Sequence, residues 1–268
     1  MLRDLLCLHP DLTTWPCDEI NPIWRYGNRA HPSDELTTQM ATPKVQHYIR
    51  ERFRKLERRS GGKAIVEKTC ANTLRVPYVN AVFPEARFIF LIRDGRDAVA
   101  SAMTRWTGST SLPYILRKAR WAPMRDLPQY GVDFVRNRLA QWGNAEQALR
   151  TWGPRFSGID EWVRTHDLLT VCAEQWKQCI LKAAAGLKAI APERVLDLRY
   201  ESLVGNPESH VAQMLAFCGL PRSNDVEQRM IAAISPGNVG KHTRQLDATE
   251  VTRLQDCLRP LLEEYDYL

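Results

Sequence analysis

Phe88-Ile89-Phe90-Leu91-Ile92-Arg93-Asp94-Gly95-Arg96-Asp97-Ala98-Val99-Ala100-Ser101 is the stretch that decides the fold. Its first five residues are aromatic and branched, and Pro84 and Gly95 bound them, which predicts a buried strand. A tight turn is expected at Gly95 and a helix from about Asp97 to Arg105. Ligands of open α/β sheets bind at such carboxyl ends of strands. Arg93 stands where the strand ends and Ser101 two helical turns on. Both can therefore face one anion, the arginine through a forked charge-assisted contact and the serine through its hydroxyl.

Outward from this stretch, helical and strand patterns alternate. Thr42-Pro43 starts a helix in which Val45, Tyr48, Ile49, Phe53 and Leu56 repeat at helical spacing, and Gly61-Gly62 ends it. Ala64-Ile65-Val66 predicts a short strand leading into Glu67-Lys68-Thr69. A helix is expected from Asn72 to Val82. Asp167 caps a long helix with Leu169, Cys172, Trp176, Ile180 and Ala184 on one face. Arg194 to Tyr200 predicts a strand and Pro207 to Phe217 a helix closed by Gly219. Two further helices are expected, at about 224–234 and 248–264. The stretch 106–164, rich in Trp, Pro, Gly and Arg, is expected to be a mostly helical lid inserted in a single domain spanning 1–268. The βαβα alternation predicts an α/β fold with a largely parallel sheet flanked by helices.

Composition narrows the function classes. The 268 residues carry 37 Lys+Arg against 31 Asp+Glu, a net charge of +6 that suits an anionic ligand. The basic residues are interspersed with acidic ones and form no nucleic-acid motif, so no nucleic-acid partner is expected. No apolar run approaches the roughly 18 to 20 residues of a membrane span, and the N-terminus makes a poor signal peptide. Seven scattered cysteines form no disulfide or metal pattern, which implies a reducing, cytoplasmic setting and no metal. Ser60-Gly61-Gly62-Lys63 lies after a helix and before a strand, the wrong order for a phosphate loop. In Gly237 to Thr243, His242 stands where a Walker loop needs Ser or Thr, which counts against a nucleotide kinase.

The segment R-D-G-R-D-x-x-x-S resembles the 3′-phosphate-binding motif of sulfotransferases that use 3′-phosphoadenosine 5′-phosphosulfate (PAPS), above all the tyrosylprotein and bacterial members. Other segments carry the same resemblance. Glu67-Lys68-Thr69 is similar to the family's catalytic lysine segment, which makes Lys68 the stabiliser of the bridging oxygen as the sulfuryl group departs. Cys70 stands where cytosolic members carry a base histidine. Leu198-Arg199-Tyr200-Glu201-Ser202-Leu203 resembles the Tyr-Glu segment, so Tyr200 lies near the adenine or is simply a core tyrosine; Trp176 has the same two readings. Gly237-Asn238-Val239-Gly240-Lys241-His242 resembles the late loop over the 3′-phosphate, with Gly240 amides and Lys241 as binding groups.

The run ending His9-Pro10-Asp11, followed by Cys17-Asp18-Glu19, resembles the element that carries the general base. It implies Glu19 as that base, with Asp18 second and His9 structural. The fold implied by the resemblance is P-loop-kinase-like. The reaction implied is sulfuryl transfer from PAPS to a hydroxyl or amine on a small-molecule, carbohydrate, lipid or peptide acceptor.

The family opens with a strand and a P-R-S-G-T-T-type loop around the 5′-phosphosulfate. Met1 to Leu6 resembles the helix that follows that loop. The expectation is accordingly a chain that starts after this element, and whose activity is in doubt as it stands. The alternatives are a catalytically silent nucleotide-binding or regulatory relative and, further off, a nucleotide kinase.

Overall fold

A computed structural model describes residues 1–107 and 153–268. The chain opens with α1 (Leu2–Leu6), β1 (Leu12–Thr13), α2 (Asn21–Trp24), α3 (Pro43–Arg59) and β2 (Ala64–Ile65). A 3-10 turn (Cys70–Leu74) leads to α4 (Val76–Val82), β3 (Phe88–Ile92) and α5 (Gly95–Thr107). After the undescribed stretch come α6 (Ile159–Thr165), α7 (Leu168–Leu187), β4 (Val195–Arg199), α8 (Tyr200–Gly205) and α9 (Pro207–Cys218). The last elements are α10 (Asn224–Ala232), α11 (His242–Gln245) and α12 (Ala248–Glu264).

The α/β class and the parallel pairing follow the sequence reading. The described strands form two separate parallel pairs, β1 with β2 and β3 with β4, rather than one continuous sheet. In the longer pair Phe88 lies opposite Val195 and Ile92 opposite Arg199. Both strands therefore end side by side at Arg93 and Tyr200, where the next helices start. The lid expected over 106–164 falls mainly on residues outside the described ones; its last part contains α6.

Two local expectations change. The helix expected over 72–82 is broken at Arg75, with a 3-10 turn before it and α4 after it. Pro77 in the first turn of α4 explains the break, because proline suits a helix start and not its interior. Gly95 is the first residue of α5 rather than the centre of a tight turn. Its lack of a side chain serves close packing: a Cβ there would meet Leu258 Cδ1 at 2.9 Å and the Trp176 ring at 3.0 Å. Trp176 thus packs between α5 and α12 in the core.

Helix α7 is the beam of the molecule. Asp167 caps it by accepting the Thr170 N–H at 2.9 Å. Its apolar face buries Leu169, Cys172 and Ile180, and it packs against both the Cys70–Leu74 turn and α5. A separate cluster of Trp15, Ile20, Ile23, Trp24, Val45, Ile49 and Tyr78 closes over the first third of the chain. Each such fully buried large apolar side chain contributes about 1.5–3 kcal/mol over leaving it in water. Among the described residues no helix is long and apolar enough to cross a membrane. All seven cysteines are free.

Candidate functional site

Beyond β2 the chain runs on through Glu67, Lys68 and Thr69. Lys68 Nζ reaches Glu19 Oε1 at 3.0 Å, and the Cys70 N–H reaches the same oxygen at 3.2 Å. Burial pushes the Glu19 carboxyl up, but the Lys68 charge and the Cys70 and Lys68 hydrogen bonds outweigh it and hold it below the usual range. Burial acts to lower the Lys68 pKa, yet Cys70 and Glu19 overcome it and raise the ammonium above its ordinary value. Glu19 is therefore an ionised carboxylate beside the Lys68 ammonium, and an ionised carboxylate is able to accept a proton.

Cys70 occupies the position of the absent histidine. Its sulfur lies 3.4 Å from Lys68 Nζ. Loss of solvent around the thiol, then the Glu19 carboxylate, pushes it up to about 11, so it stays protonated near neutral pH and is no base.

The loop carrying Glu19 is fixed from both sides. Arg3 donates to the carbonyls of Cys17 at 2.6 Å and Asp18 at 2.9 Å. On the other side the Ile20 N–H donates to Thr69 Oγ1 at 3.1 Å, and Thr69 donates onward to Glu67. Asn72 Nδ2 donates to Glu67 at 2.8 Å, and Asn72 Oδ1 accepts from Arg75 Nε at 2.9 Å. Arg75 also donates to Asn21 at 2.6 Å and faces Asp34 at 3.6 Å. Burial pulls the Arg75 guanidinium down to about 10 in spite of Asp34. Asp18, by contrast, is exposed. His9 is buried and structural, donating from Nε2 to the Pro221 carbonyl at 3.0 Å.

The second group forms where β3 and β4 end. Arg93 Nη1 donates to Ser101 Oγ at 3.2 Å, and Arg93 Nη2 donates to the Asn238 carbonyl. The guanidinium lies 5.1 Å from the centre of the Tyr200 ring, and Arg93 Nε is buried with no hydrogen-bond partner. Tyr200 is buried, and its hydroxyl donates to the Ser235 carbonyl at 3.2 Å, so it anchors the loop that follows α10.

That loop meets α5 through Asp97. The carboxylate accepts from the Gly240 N–H at 2.9 Å, the His242 N–H at 2.8 Å and His242 Nδ1 at 2.6 Å, and faces Arg93 at 3.3 Å. Gly240 has φ +65°, a turn that a side chain would strain. Its amide is thus engaged with Asp97, and Lys241 follows with its ammonium in no ion pair among the described residues. A buried donor without a partner beside a serine hydroxyl suits a phosphate group.

The structure therefore brings Glu19 and Lys68 together, and brings Arg93, Ser101, Tyr200 and Gly240 together with Lys241 beside them. Several residues that hold these groups were not singled out from the sequence: Arg3, Asp34, Arg75, Asp97 and Tyr267. Tyr267 donates to Glu201 at 2.7 Å, and Glu201 accepts the Asp94 N–H at 3.1 Å, which ties the C-terminal tail to the start of α5. Only Asp97 lay within a motif; the others carry no local signal. Among the described residues no cluster of three His, Cys, Asp or Glu side chains could hold a metal ion.

Comparison with known proteins bears on this geometry. No match was found among curated proteins. Among solved structures, a sulfotransferase domain from the curacin biosynthetic pathway superposes with a TM-score of 0.53 at 14% identity, covering 96% of this chain and 92% of that one. A sulfotransferase from Mycobacterium avium gives 0.51 at 14% identity, covering 99% of this chain and 73% of that one. At such identity the likeness shows a shared fold. The sequence model described as the sulfotransferase family matches residues 2–154 and 132–225. These two spans cover most of the chain and include both groups of side chains except the loop at 235–242, and on that match the chain belongs to the sulfotransferase family.

Proposed function

We propose that the chain transfers a sulfuryl group from PAPS to a hydroxyl or amine acceptor, small molecule, carbohydrate, lipid or peptide, releasing adenosine 3′,5′-bisphosphate. The observation that carries the reading is the Glu19–Lys68 contact at 3.0 Å, a base and a cation placed by two segments 49 residues apart. Glu19 takes the acceptor's proton as the acceptor oxygen or nitrogen forms its bond to sulfur. The bond between sulfur and the bridging oxygen breaks, and the electron pair stays on that oxygen, where Lys68 offsets the developing charge. Arg93, Ser101 and Lys241 hold the 3′-phosphate. Most of the rate enhancement then comes from positioning and charge stabilisation.

Calorimetry with adenosine 3′,5′-bisphosphate tests the nucleotide half. Arg93→Ala is expected to weaken binding about ten- to a hundredfold, the worth of a charge-assisted hydrogen bond to phosphate. Unchanged affinity would remove Arg93 from the site. Turnover of labelled PAPS against a panel of hydroxyl and amine acceptors, compared with Lys68→Ala, tests the chemical half. Binding without turnover above that control would favour a silent nucleotide-binding relative.

A further inference from the structure

We infer that Asp97 is a positioning residue of the nucleotide site: its carboxylate ties the loop Ser235–His242 to α5 and so sets where Lys241 stands relative to Arg93 and Ser101. The inference rests on the reading that Arg93 and Ser101 seat the donor's 3′-phosphate.

An acidic residue in the first turn of a helix ordinarily serves the helix itself, by accepting its free N–H groups. Asp97 does not. Asp94 takes that task, accepting the Arg96 N–H at 2.9 Å. The hydrogen bonds to Asp97 come from Gly240 and His242, 143 and 145 residues later in the chain. The Asp97 side chain is 1% exposed, so its charge persists only because these donors and Arg93 surround it. Burial would raise its pKa, but the His242 hydrogen bonds and the Arg93 charge overcome this and keep it low. A carboxylate only accepts, so His242 Nδ1 carries a proton in this contact.

The placement of the two main-chain tethers matters most. They fall on the residues immediately before and after Lys241, so the backbone of the lysine is held on both sides by one carboxylate. A negative group this close to a phosphate seat repels the ligand, and nothing about the helix requires it. What it contributes is a loop held in place before the nucleotide arrives, which lowers the ordering cost of binding. Arg244 adds a further hold from within the loop, donating to the Gly237 carbonyl at 2.8 Å.

The test compares adenosine 3′,5′-bisphosphate with adenosine 5′-monophosphate, which lacks the 3′-phosphate, by calorimetry on the whole chain. Wild type is expected to prefer the bisphosphate. Asp97→Asn is expected to cut that preference by about tenfold, with monophosphate affinity changed by no more than about twofold. Adding Lys241→Ala to Asp97→Asn is expected to weaken the bisphosphate little further, because the lysine has already lost its place. A folded Asp97→Asn protein that keeps the full preference, loses both ligands equally, or shows additive losses with Lys241→Ala overturns the inference. Should Asp97→Asn fail to fold, His242→Ala removes the shortest of the three hydrogen bonds to Asp97, the one from Nδ1 at 2.6 Å, and decides by the same pair of ligands: a selective loss supports the assignment, and an intact preference sinks it. A wild type with no preference overturns the 3′-phosphate reading itself and the inference with it.

Discussion

The Glu19–Lys68 and Arg93–Asp97 pairs are both carboxylate–cation contacts, at 3.0 and 3.3 Å, in opposite surroundings. The Lys68 side chain is 48% exposed and Glu19 24%, whereas Asp97 is 1% exposed and joins a loop to a helix. An exposed ion pair contributes about 0–1 kcal/mol, so Lys68 and Glu19 separate at little cost when a substrate offers each a new partner. Removing one member of a buried pair costs about 3–5 kcal/mol, because the remaining charge has nowhere to go. The proposed reacting end is thus breakable and the proposed nucleotide end built. Beneath the Glu19–Lys68 pair lies a hydrogen-bonded layer in which half-buried Glu67 and Asn72 meet buried Arg75 and Asp34, and it supplies the rigidity that the surface pair lacks.

The sharpest way to break this contrast is at the reacting end. Glu19→Gln keeps size and one accepting oxygen but cannot take a proton. It is expected to lower kcat about 10²–10⁴-fold, the usual cost of losing a general base. Nucleotide affinity is expected to stay within about twofold, since the hydrogen bonds of the Glu19 carboxylate among the described residues go to Lys68 and Cys70. Steady-state kinetics and calorimetry on the same preparation separate the two. An equal loss in affinity and rate would mean that Glu19 belongs to the scaffold and not to the chemistry.

The layer beneath gives the next largest effect, on stability rather than rate. Asp34 accepts from Arg25 at 2.8 Å and from the Arg155 N–H at 2.9 Å, and faces Arg75, whose side chain is 0% exposed. Asp34→Ala leaves that guanidinium buried and uncompensated, and is expected to cost about 3–5 kcal/mol in urea unfolding. Burial would raise the Asp34 pKa, but the Arg75 charge and the surrounding hydrogen bonds lower it. For a carboxyl depressed by folding, the stabilisation is complete above the unfolded value of about 3.9 and fades as pH falls through the lower folded value. The stabilities of wild type and variant are therefore expected to converge in acid. A gap that stays constant to the lowest accessible pH would assign the cost to lost packing instead.

What could be read from the sequence divides along the same line. The strand at 88–92 and the pairing of Arg93 with Ser101 were legible because they depend on local pattern: a branched apolar run, then eight residues across two turns of helix. The face of α7 was legible for the same reason, with Leu169, Cys172 and Ile180 all buried. The tie between Asp97 and His242 was not, because no local rule joins residues 145 apart; only the packing of the 235–242 loop on α5 creates it. Asp34 and Arg75 were illegible in the same way, since each looks like an ordinary surface charge until the loop after α2 and the turn before α4 bring them together. Tyr200 was left between adenine and core, and its burial and its bond to Ser235 came from the fold. The break before α4 was open to a sequence reading, for Pro77 marked it.

The smallest expected effect falls on Asp18, and it discriminates between the two neighbouring carboxylates. Both follow the His9-Pro10 element, and the sequence alone ranks them only by reach. The structure separates them by what each contacts. The Asp18 main-chain carbonyl accepts from Arg3 at 2.9 Å, while its side chain points into solvent. Asp18→Asn keeps that carbonyl and hence the loop's hold on α1, and removes only a charge outside the Glu19–Lys68 contact. A solvent-screened charge change of this kind is worth no more than about 0.5 kcal/mol, so kcat is expected to stay within about twofold of wild type. Measured beside Glu19→Gln, this gives a ratio that does not depend on knowing the best acceptor, because both variants see the same one. A loss for Asp18→Asn larger than that for Glu19→Gln would move the base to Asp18, and the ion pair with Lys68 would then be a latch on the loop and not the reacting pair.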